Sequence, residues 1–232
     1  MTSRPTTVLV IAKAPVPGRV KTRLSPPYSP RQAAWLAEAA LADTLAAVAA
    51  APADRRVLVL DGEAGDWLPS GFDVRPQVRG SLDVRIAAAF ADCTGPALLV
   101  GMDTPQLTPA LLAPALAGGT RPEVDAWFGP ATDGGFWALG LAAPDPALVL
   151  GVPMSDPRTG EVQRRRLTDA GLRVRDLAAL TDVDTAEDAA VVAAQAPGTR
   201  FAARLAALLP AQRAGLAHGE RAEAPLAQGG VG

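Results

Sequence analysis

The sequence predicts an α/β protein whose mostly parallel sheet is covered by helices on both faces. Short apolar runs of strand length alternate with longer alanine- and leucine-rich stretches of helical character. Several of those runs, such as Val8-Leu9-Val10-Ile11, are continuously apolar, as strands buried on both faces require. At 232 residues, 49% apolar but only 4% aromatic, the chain suits one domain with a core of Ala, Val and Leu.

In chain order, the first strand is residues 8–11. A helix follows over 31–50, with Ser29-Pro30 as its start signal. Val57 to Leu60 gives a second strand and residues 73–78 a third. Residues 81–92 read as a helix with Leu82, Ile86, Ala89 and Phe90 on one face. A buried strand over 97–103 ends at Asp103. Thr108 caps a short helix, with Pro109 at its first position. Residues 126–129 and 136–139 make two strands around the turn signal Asp133-Gly134-Gly135. A charged helix over 160–170, a strand over 172–176 and a helix over 185–194 complete the pattern. The domain is expected to span 1–209, and 210–232, without a clear apolar period, to be a disordered tail.

Composition removes several chemistries. A net charge of −2 disfavours nucleic-acid binding through a basic face. One cysteine, Cys93, excludes an internal disulfide and a thiolate metal cage. The one histidine, His218, lies in the Gly/Ala-rich tail, so a serine triad or histidine-ligated zinc is not expected. No secretory leader and no uninterrupted apolar span of ~20 residues is read, so the expectation is a cytoplasmic protein off the membrane. Catalysis then falls to carboxylates, Lys, Arg and a hard metal ion. No motif assigns an oligomeric state.

Four segments carry that chemistry. The chain has two lysines against twenty arginines, and both lysines lie in the loop after the first strand, Ala12-Lys13-Ala14-Pro15-Val16-Pro17-Gly18-Arg19-Val20-Lys21-Thr22-Arg23-Leu24. Lys13, Arg19, Lys21 and Arg23 place four positive charges at the edge where open α/β sheets bind anions. Gly18 permits close backbone approach, while Pro15 and Pro17 stiffen the path. The loop is not a Walker motif. Its plainer reading is a solvated surface loop. Gly101-Met102-Asp103-Thr104-Pro105 puts a carboxylate at a strand tip, where it suits Mg²⁺ or opens a turn before Pro105. In Asp182-Val183-Asp184-Thr185-Ala186-Glu187-Asp188, spacing alone favours Asp184 as an N-cap before an acidic first turn. A metal role needs the fold to bring this helix start beside Asp103. Residues 129–137, with Gly134 and Gly135 before two aromatics, either clear room for a ligand or make an ordinary hairpin. The run Arg164-Arg165-Arg166 reads as the polar face of a helix, and Trp35 and Trp67 as packing residues.

These segments in this order resemble the bacterial DUF2064 family, also called radical-SAM/selenodomain-associated transferase 1, over residues 7 to about 195. Some of its members are labelled arsenosugar-biosynthesis glycosyltransferases. The resemblance implies the GT-A (Rossmann-like) three-layer sandwich of nucleotide-diphospho-sugar transferases, and a similarity to phospholactate guanylyltransferases, whose first loop carries a Lys-Ser-Arg-Leu-like element. It further implies that Asp103 and Asp184 share Mg²⁺ or Mn²⁺, with Asp182 as the substitute for Asp184. Ala12, Pro15, Gly18, Arg23, Gln77, Gly80, Arg85, Asp133, Gly134 and Gly135 would then contact nucleotide or substrate. Two departures stand out: Asp83 where the family tends to have glycine, and Ala186 in place of the usual proline.

The expected activity is nucleotidyl transfer. A phosphorylated or phosphonate-like acceptor would attack the α-phosphorus of a nucleoside triphosphate, with Lys13, Arg19 and Lys21 stabilising the developing charge. An anionic acceptor needs no general base, which suits a chain without a usable histidine. The alternative is glycosyl transfer from a nucleotide sugar, with Asp133 as base for an acceptor hydroxyl. A third class is a non-catalytic nucleotide-binding protein.

Overall fold

The continuous apolar runs become the central strands of one sheet. The computed structural model describes residues 5–116 and 123–219. Seven strands, β1 (Thr7–Lys13), β2 (Arg55–Asp61), β3 (Asp73–Pro76), β4 (Ala97–Val100), β5 (Ala126–Pro130), β6 (Phe136–Leu141) and β7 (Val174–Asp176), lie in the order β3-β2-β1-β4-β6-β5-β7. All run parallel to β1 except β6, which turns back from β5 as a hairpin and pairs antiparallel with both β4 and β5. β3, at one edge, is short, exposed and ends in Pro76, features that discourage further strand pairing.

Alternation along β1 divides the core. Val8 and Val10, with Leu98 and Val100 of β4, face α1 (Pro30–Ala50) and α3 (Pro109–Leu116), meeting Leu41, Leu45 and Leu112. Leu9, Val57, Leu99 and Phe128 point the other way. They meet Ile86 and Phe90 of α2 (Leu82–Ala91) and Leu167 of α4 (Thr159–Asp169). The result is the GT-A-like three-layer α/β sandwich.

α1 is buried on two sides. Ser29 caps it through a capping box with Gln32. Its outer face, Ala33, Leu36 and Ala40, packs against Ala189 and Val192 of α5 (Ala186–Gln195) and Phe201, Leu205 and Leu208 of α6 (Arg200–Gly219). α1 is long and apolar enough by composition to cross a membrane, yet 67% of that stretch is buried inside the fold. α6 is the element the sequence reading lacks, and it changes the tail. Positions 201, 205 and 208 form a helical stripe, and once that stripe docks the helix propagates through Gly219. The first ten residues of the expected tail are therefore helical, and 220–232 lie outside the described residues. The helix start is tied to α1: buried Asp43 accepts from the backbone N–H groups of Arg200 (3.2 Å) and Phe201 (2.9 Å) and from the Arg200 guanidinium.

Two further expectations change. Leu82 opens α2 and is 42% exposed instead of joining the buried face of Ile86 and Phe90. β4 ends at Val100, so Asp103 stands on the loop beyond it. Trp35 is half-exposed on α1, with the Arg204 guanidinium 4.9 Å above its ring.

Candidate active site

The basic loop leaves β1 at the C-terminal edge of the sheet. Gly18 takes φ +75° in open space, so its glycine serves the turn itself rather than clearance for a neighbour. Lys21 also lies in the left-handed region (φ 48°), immediately before a single 3-10 turn over Thr22–Leu24 that buries Leu24. This conformation turns the Lys21 side chain inward, where it is only 10% exposed. Its Nζ lies 2.6 Å from Asp103 Oδ2 and 3.5 Å from Asp184 Oδ1. Arg23, on the solvent side, pairs with Asp184. Burial alone would lower the Lys21 pKa, but the charges of Asp103, Asp184 and Asp182 and the hydrogen bond to Asp103 carry it above its ordinary value.

The two acidic motifs meet through backbone. Beyond β7, residues 177–184 continue alongside the end of β5. The N–H of Leu177 donates to Phe128, that of Leu180 to Pro130, and the Trp137 indole to the carbonyl of Ala178. The segment then crosses to the β4 loop, where the N–H of Val183 donates to the carbonyl of Asp103 at 3.0 Å. Asp184 is not the cap of α5. Thr185 is, in a capping box with Asp188. The Asp184 carboxylate is thereby left to meet Lys21 and Arg23. Asp182, partly buried beside it, is pushed up to about 6 by burial and by the charges of Asp103 and Asp133, against the pull of Lys21.

The resulting cleft, about 1010 Å³, is lined by Ala12, Lys13, Arg19, Lys21 and Arg23 on one side, with Asp103, Asp182 and Asp184 at its centre. Gln77, Gly80 and Arg85 border it towards β2 and β3, and Asp133 and Gly135 towards the β5–β6 hairpin. Pro15, Gly18 and Gly134 do not line it. Gln77 donates to the carbonyls of Ala12 (2.7 Å) and Val59 (3.1 Å) and accepts from Arg85. Arg85 also bonds Asp61 (3.2 Å) and the Gly80 carbonyl (2.9 Å), so both side chains shape the wall. Asp83 points away: it accepts from the Ser81 hydroxyl and from Gly151 N–H (2.8 Å), bonds that hold its carboxyl below the usual range. The departure from glycine at 83 thus leaves the cleft-facing side of α2 unobstructed.

Gly134 serves packing. A Cβ there would lie 2.0 Å from the carbonyl oxygen of Pro157, and the N–H of Gly160 donates to the Gly134 carbonyl at 2.8 Å. This clasp brings in cleft residues that sequence reading missed: Met154, Ser155, Asp156, Pro157 and Thr159. The available signal was the turn chemistry of Ser155-Asp156-Pro157 ahead of Gly160.

Five basic side chains and six carboxylates line the cleft, and no group of three or more His, Cys, Asp or Glu among the described residues could hold a metal by itself. Asp103 and Asp184 nevertheless converge on one cation position, which the Lys21 ammonium fills. Two hard carboxylates match what Mg²⁺ takes from a protein when phosphates and water complete its shell. The Arg164-Arg165-Arg166 run lies apart from the cleft, with Arg164 bonded to Asp176 and Arg165 to Glu161.

Solved structures share the architecture. A protein from Desulfovibrio desulfuricans G20, described as a "putative nucleotide-diphospho-sugar transferase", is 25% identical, with TM-score 0.78 over 90% of this chain and 96% of that one. Rv0371c from Mycobacterium tuberculosis H37Rv is 22% identical, with TM-score 0.53 over 83% of this chain and 98% of that one. It has also been solved in complex with manganese. CMP:2-keto-3-deoxy-manno-octonic acid synthetase complexed with CTP is 13% identical, with TM-score 0.54 over 83% of this chain and 99% of that one. No curated protein matches the sequence. The model of the family DUF2064, "uncharacterized protein conserved in bacteria", matches residues 36–156, a stretch that carries Asp103 and Asp133. The chain belongs to the DUF2064 family.

Proposed function

We propose that the protein is a nucleotidyltransferase that joins a nucleoside triphosphate to a small-molecule acceptor and releases pyrophosphate. The observation that carries this reading is the meeting of four basic side chains, from the end of β1 and the loop after it, with Asp103 and Asp184 in a single cleft. Lys13 and Arg19 form no ion pair among the described residues and are available to the β- and γ-phosphates. Lys21, a compact ammonium held at the carboxylates, stands where charge on the α-phosphorus would develop. Asp103 and Asp184 would hold Mg²⁺ or Mn²⁺ in the position the Lys21 ammonium now fills, freeing Lys21 for the phosphates, and the ion when bound neutralises phosphate charge. The neighbours solved with CTP and with manganese accord with this assignment.

Glycosyl transfer from a nucleotide sugar is the second reading, favoured by the description of the Desulfovibrio protein. One experiment separates the two. The protein is incubated with Mg²⁺ and each nucleoside triphosphate or nucleotide sugar, together with a pool of small-molecule acceptors. Release of pyrophosphate supports nucleotidyl transfer, whereas nucleoside diphosphate alone refutes it. Binding with no turnover of any nucleotide returns the non-catalytic class.

A further inference from the structure

We propose that the acceptor half of the cleft takes a non-phosphorylated compound, a hydroxyl group carried on an apolar body. The proposal rests on the nucleotidyl-transfer reading, and it replaces the phosphorylated acceptor expected from sequence.

Charge is distributed unevenly along the cleft. Three of its five basic side chains, Arg19, Lys21 and Arg23, lie on the loop after β1, and a fourth, Lys13, ends that strand. The fifth, Arg85, is directed towards β2 and β3 by its bonds to Asp61, Gln77 and the Gly80 carbonyl. At the other end, the β5–β6 hairpin and residues 154–159 are clasped by the Gly160 to Gly134 hydrogen bond. The start of α2 is drawn to the same region by the bond from Gly151 to Asp83. Here Phe136, Met154, Leu82 and Ile86 line the cleft, its own ionisable side chains, Asp133 and Asp156, are both acidic, and Arg23, whose charge reaches Asp133, is paired with Asp184. Arg158 borders this end but does not line it. Its side chain is 75% exposed and faces Asp156.

A phosphate seated here would meet two carboxylates, and the cations within reach, Arg23 and Arg158, are already paired with Asp184 and Asp156, so it would shed its hydration for little in return. An apolar body loses nothing by the same move. Phe136 offers it a ring steadied against Phe128, 5.8 Å between centroids, and Met154 an adaptable thioether. Asp133 supplies the base that a hydroxyl nucleophile needs. Its Oδ1 accepts from Gly135 N–H (2.8 Å), which leaves Oδ2 for the proton. The acceptor oxygen then bonds to the α-phosphorus as the bond to pyrophosphate breaks, and the hydroxyl proton passes to Asp133.

The test is calorimetric titration with a matched pair of probes, benzyl alcohol and phenyl phosphate. Each is titrated into the full chain with Mg²⁺, with and without the α,β-methylene analogue of each nucleoside triphosphate. Benzyl alcohol is expected to bind at least about tenfold more tightly than phenyl phosphate. Phe136→Ala should abolish its binding without changing affinity for the analogue. Asp156→Lys, outside the core, should raise phenyl phosphate affinity by about tenfold or more. Phenyl phosphate binding as tightly as benzyl alcohol, neither probe binding, or no effect of Asp156→Lys would overturn the proposal. Failure of every triphosphate analogue to bind would instead refute nucleotidyl transfer, because the probes still report on the acceptor wall by themselves.

Discussion

The N–H of Val183 donates to the carbonyl of Asp103 across 3.0 Å, a bond spanning eighty residues of chain. It sets two acidic motifs side by side at the edge of the sheet, and Lys21 closes the group. Disturbing the members of this group should give distinct outcomes.

Lys21→Arg keeps the charge but not its shape. The ammonium fits between two carboxylates at 2.6 and 3.5 Å with little exposure, and a planar guanidinium is wider. Pyrophosphate release should fall by about tenfold or more while the thermal midpoint stays near wild type. Wild-type rates in this variant would remove Lys21 from the reaction.

Asp103→Asn and Asp184→Asn should each weaken Mn²⁺ binding by about tenfold or more, read by calorimetry in the presence of triphosphate. Asp176→Asn, away from the cleft where Asp176 pairs with Arg164, should leave Mn²⁺ affinity unchanged.

Gly134→Ala and Gly18→Ala both place a Cβ at positive φ, yet their neighbourhoods differ. Gly18 has open space around it, so strain of about 1 kcal/mol is the whole cost. At Gly134 the Cβ collides with the Pro157 carbonyl, and unfolding in urea should show a loss of about 3 kcal/mol or more. Equal costs would contradict the clasp between hairpin and α4.

Asp43→Ala should destabilise the fold by about 2 kcal/mol, because three donors at the start of α6 lose a buried acceptor. Nucleotide affinity, measured separately, should not move.

Arg173 holds the Asp125 carboxyl down at about 2 through side-chain and backbone hydrogen bonds. A carboxylate depressed in the folded state contributes stability above its unfolded pKa, about 3.9, and loses it as pH falls towards the folded value. Both partners are exposed enough for solvent screening to keep the contribution small. Urea denaturation should show Asp125→Asn weaker than wild type at pH 7, with the difference shrinking between about pH 4 and pH 2.

Local chemistry made much of this legible in the sequence. The run at 8–11, the Ser29-Pro30 start and the Asp-Gly-Gly turn each state their structure within a few residues. The basic loop was legible because Lys is rare in an arginine-rich chain. What sequence concealed depended on partners far along the chain. Asp184 followed by Glu187 looked like a cap, and only the Thr185 and Asp188 pairing shows the cap one residue later. The wall at 154–159 carries no charged cluster and enters the cleft only because Gly134 and Gly160 let two backbones touch. α6 needed its partner: the stripe of Phe201, Leu205 and Leu208 has meaning only against the back of α1.

That last arrangement fixes an order of events during synthesis. The sheet and its four flanking helices are complete once α4 and β7 have emerged, but Ala33, Leu36 and Ala40 then still face water. The patch is sealed only when α6 leaves the ribosome and folds back. A nascent or C-terminally clipped chain therefore displays a sticky helix flank for chaperones to shield, and shortening the gene before the codon for Leu208 should yield inclusion bodies rather than a smaller working enzyme.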